Sequence, residues 1–507
     1  MGLEKMDDSM YIESLVAQFL HSKGYYKTLS ALEEETQTKF TPTTLNNDES
    51  LQSIVEDRIN FKTLQSHTEN AHHLENGDVN TLDSLSQSDI VRRRNIILPN
   101  WEVKYPDSVE VLNLGTLNSL IIDSSYFSSF IGGKIYNLGL FVTNTKYLLV
   151  YDIDANQLLL SVHDPLNGQP IKLVYGIPYS NHLFLCDMNG NLRTMSLKRD
   201  GLQYDMELVT NSNDSVKLHR RLITDFTFKS VKLESDSTLL GYFSSIGWDG
   251  RVTLGLVREA NNELIIKQIG EYKLFTNPTC ILLTIDKETN LPLLLVGRLE
   301  SSLLTIFSIN KHPLGAEEVK LVELGKLSLN DSEFSSHSFQ AMSIGEISYN
   351  NKDLIITVAT DHIPYMRLIT VLVPSIEEIL SYSKNIDPNY SVFEKLDKLV
   401  VKDNNQQFTS SSPILRSYII SNFNSLSPQD KYSNAIILSR PNCSGLWIPG
   451  DDGKLRGFDL RTGNVIETLD SNDGRAKSAF IGQCGMESEV VVVCGAVDKK
   501  IVIWRCS

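Results

Sequence analysis

One phrase recurs along most of this chain: a short apolar strand, a turn containing Asp, Asn or Gly, and a second strand with alternating side chains. It occurs at residues 139–153, 183–197, 242–257, 294–309, 446–469 and 491–504. Asn and Asp tolerate left-handed backbone angles and Gly adopts them freely, so Asn189-Gly190, Asp249-Gly250 and Asp452-Gly453 each predict a chain reversal. Hairpins spaced by about 40 to 60 residues are typical of four-stranded blades arranged around an axis.

The repeats predict a mainly β domain over residues 96–507. Residues 338–384 have the same rhythm of strands and turns, and they raise the count from six repeats to seven. Tyr151-Asp152 and Phe458-Asp459 close a strand with an aromatic residue and Asp, and with the Asx-Gly turns they resemble the WD repeat. The resemblance implies a seven-bladed β-propeller, although the middle repeats lack the Gly-His dipeptide and structural Asp of that family. A pair of β-sandwiches is the alternative.

The last repeat contains three strands, so its outer strand must come from elsewhere. The apolar segment 108–114 precedes the first complete blade and is the best candidate. We expect Val109, Val111 and Leu112 to pair with the strand that carries Ile501 and Ile503. Such a pairing closes the ring with strands from both ends and removes an edge that would favour aggregation.

Residues 1–40 differ from the repeats, because their apolar side chains recur at the spacing of a helix. Gly24 stands where a left-handed residue would end one helix, and a second helix follows it. The residues expected to form a dimer contact are Ile12, Leu15, Val16, Phe19, Leu20, Gly24, Tyr25, Leu29 and Leu32. A hairpin of fewer than about 40 residues buries too little surface to be stable alone. It should therefore pack on a second copy or on its own chain.

The same residues resemble the LisH (lissencephaly-homology) motif, in which a Gly-Tyr turn such as Gly24-Tyr25 joins two short apolar helices. The resemblance implies an all-α homodimerisation module, without an active site, on a subunit of a larger assembly. Residues 41–66 predict an additional helix, which either extends this module or lies against the main body. Residues 67–95 are polar and lack apolar periodicity, and they predict a linker.

Charge and cysteine content limit the kinds of partner. The chain has 62 acidic and 47 basic residues, a net charge of −15, which disfavours direct binding to nucleic acid or to an anionic membrane. Its six cysteines form no CxxC pair, and no apolar run of about 18 residues could span a bilayer. We expect a cytoplasmic or nuclear protein without cofactor, whose partners are other protein subunits.

The sequence contains no recognisable catalytic motif. HExxH and GxSxG are absent, and Gly132-Gly133-Lys134 lacks the first glycine and the Ser or Thr of a phosphate-binding loop. We therefore expect a non-catalytic scaffold or adaptor rather than an enzyme. The resembling families leave two alternatives open: a substrate-recognition receptor of a ubiquitin-ligase complex, and a subunit of a histone-deacetylase corepressor complex. A receptor would need a charged or aromatic pocket at loops such as Trp248-Asp249 or Asp451-Asp452.

Four polar stretches interrupt the repeats, at residues 310–316, 332–337, 385–412 and 422–434. Long loops within a compact domain are either functional or disordered, and the Asn, Ser and Asp content here favours disorder. We expect irregular structure in all four.

Overall fold

The computed structural model describes residues 8–40, 51, 98, 101, 105–112, 119–199, 206–210, 215–231, 239–260, 263–313, 319–330, 338–347, 353–382, 390–405, 412–441, 443–484 and 488–506. The chain divides into two compact units, Met1–Ser86 and Gln87–Ser507. The helix predicted at 41–66, apart from Leu51, and the linker predicted at 67–95 lie outside the described residues. No helix in the described part of the chain is both long and apolar enough to cross a membrane.

The first unit contains two helices, α1 (Asp8–Ser22) and α2 (Tyr26–Thr36). Gly24 ends the first helix with a φ of +75°. The amide of Gly24 donates to the carbonyl of His21, and the amide of Tyr25 donates to that of Leu20, which together satisfy the last carbonyls of α1. Ser14 and Ala17 are buried beside Leu15, whereas Val16, Phe19 and Leu20 are only partly buried, so the buried side of α1 differs from the predicted apolar stripe.

The second unit contains seven sheets, which are called blades 1 to 7 in chain order. Consecutive strands pair antiparallel. Blade 1 contains β2 (Ile121–Ile131), β3 (Lys134–Thr143), β4 (Tyr147–Asp152) and β5 (Gln157–His163). Blade 2 contains β6 (Ile171–Gly176), β7 (His182–Asp187), β8 (Asn191–Arg199), β9 (Met206–Thr210) and β10 (Val216–Lys217). Blade 3 contains β11 (Ile223–Ser230), β12 (Leu239–Gly247), β13 (Arg251–Ala260) and β14 (Glu263–Lys273).

The remaining blades continue this order. Blade 4 contains β15 (Pro278–Ile285), β16 (Pro292–Arg298), β17 (Leu303–Ile309), β18 (Leu321–Ser328) and β22 (Ile414–Leu415). The short strand β22 pairs parallel with β18 at the edge of this blade. Blade 5 contains β19 (Ala341–Ile347), β20 (Leu354–Thr360), β21 (Tyr365–Val373) and β23 (Ile419–Pro428). Blade 6 contains β24 (Leu438–Ser439), β25 (Leu446–Pro449), β26 (Lys454–Phe458) and β27 (Val465–Asp470). Blade 7 contains β28 (Ala476–Cys484), β29 (Ser488–Gly495), β30 (Ile501–Arg505) and β1 (Ser108–Leu112).

The core lies between neighbouring blades, because each sheet packs on the next. The middle strands are therefore covered on both faces. Their sequences are almost continuously apolar, and every residue of β16 and β17 is buried. This arrangement is a seven-bladed propeller, the fold expected from the repeats.

The ring closes between the two ends of the propeller sequence. β1 pairs antiparallel with β30, with Val109 opposite Trp504 and Leu112 opposite Ile501. This is the pairing expected from the sequence. Leu112 and Ile501 are buried in a cluster shared with blade 1, whereas Val109 and Val111 face outward.

The innermost strands share a feature that the sequence pattern does not reveal. In blades 1 to 5 and 7, the pairing of the first strand with the second shifts by one residue near the start of the first strand. Such a bulge bends a strand and re-aims its side chains. In blades 1 and 3 it places Asp123 and Asp225 directly after the shift.

Blade 5 contradicts the prediction of irregular structure at 385–412 and 422–434. The connection from its third to its fourth strand contains helices α3 (Ile376–Ser381) and α4 (Val392–Asn405), and β23 supplies the outer strand. Ser391 and Glu394 bond to each other's main-chain amides at the start of α4, a capping box that stabilises the helix. Leu396 is fully buried, so this polar stretch still provides an apolar face. Residues 332–337 lie outside the described residues.

Candidate functional site

The loops of the propeller fall on two faces because the strands within a blade are antiparallel. Turns between second and third strands lie on the same face as the connections between blades, and we call this the loop face. Several large apolar side chains are exposed there, including Trp248 at 57% and Phe275 at 74% exposure. Such a surface, positioned by a rigid ring, is where propellers offer binding sites.

An Asn or Asp side chain joins two loops of the loop face in blades 1, 3, 5 and 7. The residue lies at the turn between the second and third strands, and its side chain accepts from an amide of the segment that enters the first strand. The amide and acceptor pairs are Leu120–Asn144, Arg220–Asp249, Gln340–Asp361 and Asp473–Asp498, at 2.8 to 3.1 Å. Each bond fixes the position of both loops.

Blade 3 extends this contact into a buried network. His219 Nδ1 lies 2.9 Å from Asp249 Oδ1, and its Nε2 lies 2.9 Å from the Ser245 hydroxyl. The Ser245 hydroxyl in turn lies 2.7 Å from that of Thr253. In the sequence, the middle repeats lack the Gly-His dipeptide and structural Asp of the WD repeat. Blade 3 has no such dipeptide, since Leu218 precedes His219, yet its His219 and Asp249 form this contact.

The charges of this network follow from its burial. Burial lowers the pKa of His219, and the Asp249 carboxylate opposes this only in part, so the ring is neutral near pH 7. Burial by itself would raise the pKa of Asp249, but the bonds from the Arg220 amide and from His219 hold it below its usual value. A neutral His219 therefore donates from Nδ1 to an ionised Asp249 and accepts the Ser245 hydroxyl at Nε2.

A basic pocket of about 360 Å³ lies directly over this network. We call it the blade 3 pocket; its lining residues are Arg220, Arg221, Trp248, Asp249, Arg251 and Lys273. Lys273 Nζ donates to the main-chain carbonyl of Asp249, and Arg251 pairs with Glu271. In the part of the chain that the structure describes, neither Arg220 nor Arg221 forms an ion pair, and both are exposed.

The second cavity is the central channel, of about 490 Å³, lined by the innermost strands. Burial raises the pKa of Asp123 to about 6 and that of Asp225 to about 7. Asp123 accepts from the amide of Val174 in blade 2, and Asp225 accepts from the amide of Ile281 in blade 4. These carboxyl groups therefore join neighbouring blades. Among the described residues, no group of three or more His, Cys, Asp or Glu is placed to hold a metal ion.

The residues predicted from the sequence fall in three separate places. Asn189-Gly190, Asp249-Gly250 and Asp452-Gly453 form turns of the loop face in blades 2, 3 and 6, with glycine φ angles of 87°, 68° and 75°. The ring-closure residues lie in β1 and β30, at the outer edge of blade 7. The predicted dimer residues lie in the helical unit, where Leu15 and Leu29 are buried and Tyr25 is 56% exposed.

Comparison with known proteins adds a family to this geometry. Residues 78–505 match a family model described as "UCP007778, beta-propeller domain". The chain belongs to this family. It is also 26% identical over 523 aligned residues to the "Uncharacterized protein YGR117C" of Saccharomyces cerevisiae, covering 97% of this chain and 96% of the relative. The match of this family to most of the chain agrees with the seven blades.

Trp248-Asp249 was predicted from the sequence as a loop where a receptor would need a pocket, but the cations around it were not predicted. These cations come from three separate stretches, and the segment His219-Arg220-Arg221 was the available signal, because it places two adjacent arginines in an acidic chain. At Asp451-Asp452, the other loop named, both carboxylates have basic partners. Asp452 pairs with Arg456, and Asp451 lies 3.6 Å from Arg475.

Proposed function

We propose that this protein is a non-catalytic scaffold or adaptor that binds other proteins on the loop face of its propeller and dimerises through a LisH-like helical hairpin. The observation that supports binding most directly is the blade 3 pocket. An exposed tryptophan there is surrounded by cations that a buried network holds in place. Tryptophan and arginine are the residues most often found at the energetic centres of protein interfaces.

Dimerisation is supported by the arrangement of the hairpin. Phe19 and Leu20 are only partly buried, and Tyr25 and Tyr26 at the turn are exposed. These side chains give the hairpin apolar surface for a second copy. Two propellers held in one dimer would bind a partner with two sites more tightly, because the second contact forms at a high effective concentration.

The oligomeric state tests dimerisation. Light scattering during size-exclusion chromatography should give the mass of a dimer for the full chain and of a monomer for Phe19→Glu, which places a charge in the apolar face. Lys27→Glu introduces the same side chain at an exposed position of α2 and should remain a dimer. A monomeric wild-type chain would refute this part of the proposal.

Partner binding has its own test. Crosslinking followed by mass spectrometry of the captured wild-type chain should recover protein partners joined to the loop face. Recovery of no partner, or crosslinks confined to the opposite face, would count against a scaffold that uses the loop face.

A substrate-recognition receptor is the second candidate, because the blade 3 pocket lies at a loop where a receptor would need one. Membership of a ubiquitin-ligase complex or a histone-deacetylase corepressor complex rests on the resemblance of the hairpin and the repeats. The subunits recovered by crosslinking would distinguish these assemblies.

A further inference from the structure

We infer that the blade 3 pocket binds an anionic side-chain group of a linear peptide, with a neighbouring apolar residue of that peptide packed on Trp248. This inference rests on the proposed function and adds the chemistry of the partner. Its basis is the convergence of Arg220, Arg221, Arg251 and Lys273 around one exposed indole.

Two of the cations in the blade 3 pocket are available to bind a ligand. The carboxylate of Asp249 is occupied by its bonds to His219 and to the Arg220 amide, so it is directed into the fold. Arg251 is paired with Glu271, which lies outside the pocket lining. Arg220 and Arg221 have no ionic partner among the described residues and keep their charges for a ligand. Guanidinium groups present paired donors that match a carboxylate or phosphate.

The shape indicates a peptide segment and disfavours an extended polyanion. The volume of about 360 Å³ is near the lower end of the range for small-ligand sites and holds one or two side chains. All the cations lie in one blade, whereas the chain as a whole has a net charge of −15. A nucleic acid would extend beyond the pocket over an acidic surface.

The indole of Trp248 provides the apolar half of the site. It is 57% exposed although its neighbours Gly247 and Gly250 are buried, so the turn presents the ring to solvent. Burying a large aromatic face against a ligand gives binding energy that does not require a charge on the ligand. A ligand that combines one anionic group with one apolar side chain would use both halves.

Three immobilised peptide libraries, random except for a fixed central residue, test the inference on the full chain. The fixed residue is phosphoserine, glutamate or serine. We expect the two anionic libraries to be retained over the serine library by roughly tenfold or more, because charge-assisted bonds replace neutral ones. The difference between phosphoserine and glutamate identifies the source of the anion. Equal retention of all three libraries would overturn the inference, as would tighter binding of a single-stranded oligonucleotide.

Matched variants assign the binding to this pocket. Arg220→Glu combined with Arg221→Glu should abolish the preference for anionic libraries. Lys431→Glu combined with Lys499→Glu makes the same change in net charge at exposed positions in other blades and should leave it intact. Trp248→Ala should weaken both anionic libraries, and its thermal unfolding should match that of wild type. Equal loss in the two double variants would overturn the inference, because only the net charge would then matter.

Failure here is distinguishable from failure of the proposed function. If the Arg220 and Arg221 variant still captures the partners of the wild-type chain through the loop face, the pocket inference is wrong and the scaffold stands. If the wild-type chain captures none, the scaffold itself is wrong.

Discussion

Replacing Glu489 by alanine should destabilise the propeller more than any change at an exposed ion pair. Arg440 Nε lies 2.9 and 3.1 Å from the two carboxylate oxygens of Glu489, and their side chains are 0% and 5% exposed. Glu489 also accepts from the indole of Trp447. The guanidinium lies 3.8 Å from the ring of Trp101, just ahead of β1. The group thus joins blades 6 and 7 beside the closure of the ring.

The expected loss follows from leaving a buried guanidinium without its carboxylate. Removing one partner of a buried ion pair lowers the free energy of unfolding by about 3–5 kcal/mol. For a unit spanning Gln87–Ser507, an unfolding entropy of about 2.1 cal/mol/K per residue amounts to roughly 0.9 kcal/mol/K. The melting temperature of Glu489→Ala should therefore fall by about 3–6 °C.

Thermal unfolding followed by circular dichroism measures this shift. Asp473→Asn is the matched control, since Asp473 pairs with Lys500 at 3.2 Å but its side chain is 77% exposed. An exposed pair contributes less than about 1 kcal/mol, so the control should shift by about 1 °C or less.

A double substitution separates the ion pair from the volume of the side chains. Arg440→Met combined with Glu489→Met removes both charges and keeps the interior filled, so it should cost less than the sum of the two single changes. Two results would contradict a role for this pair in holding the blades together. One is a melting temperature of Glu489→Ala equal to that of the exposed control, and the other is a double variant whose loss of stability equals the sum of the two single losses.

Two further changes test the closure and the channel. Leu112→Asp places a charge in the core shared by blades 1 and 7 and should cost about 3 kcal/mol or more in thermal unfolding, whereas Val111→Asp, on the exposed side of β1, should cost less than about 1. Burial raises the pKa of Asp225 to about 7 in the folded chain, so the folded state binds this proton more tightly than the unfolded state does. The free energy of unfolding should therefore fall as pH rises from about 4 to about 7, by at most about 4 kcal/mol. Asp225→Asn keeps an acceptor oxygen for the Ile281 amide and should flatten the decline in melting temperature between about pH 4 and 7; an unchanged slope would contradict this assignment.

The blades could be predicted from the sequence because their turns are determined locally. Asn189-Gly190 and Asp249-Gly250 need no distant partner to reverse the chain, and the strands on either side alternate visibly. The pairing of β1 with β30 spans nearly the whole propeller, yet counting three strands in the last repeat was enough to predict it. Such a count works because an unpaired edge is unfavourable in any propeller.

The prediction of irregular structure at residues 385–412 and 422–434 was wrong because it used overall composition and overlooked the positions of a few residues. Residues 385–412 contain many Asn and Ser residues, but Ser391 and Glu394 have the spacing of a capping box before the apolar positions of α4. β23 is similarly polar because it is the outer strand of its blade, so part of its surface faces solvent. Overall polarity therefore predicted irregular structure where the positions of a few residues specify a helix and a strand.

The blade 3 pocket could not be predicted in full, because its cations become neighbours only after the blade forms. Arg220 and Arg221 precede the first strand, Arg251 begins the third, and Lys273 ends the fourth. No spacing rule links these positions. The bulges that aim Asp123 and Asp225 into the channel are equally invisible, since they depend on the pairing register and not on residue type.

An acidic ligand and an acidic protein are compatible because charge acts over a short distance in physiological salt. The net charge of −15 disfavours nucleic acid and anionic membranes as partners, yet the screening length at that ionic strength is only about 8 Å. An anionic group seated in the blade 3 pocket is influenced mainly by the cations that line it. Distant carboxylates slow its approach more than they weaken its binding, because steering depends on the long-range field. Raising the salt concentration should therefore speed association with an anionic peptide while weakening the complex. The association rate constant then reports the field of the whole surface, and the dissociation rate constant reports the contacts in the pocket.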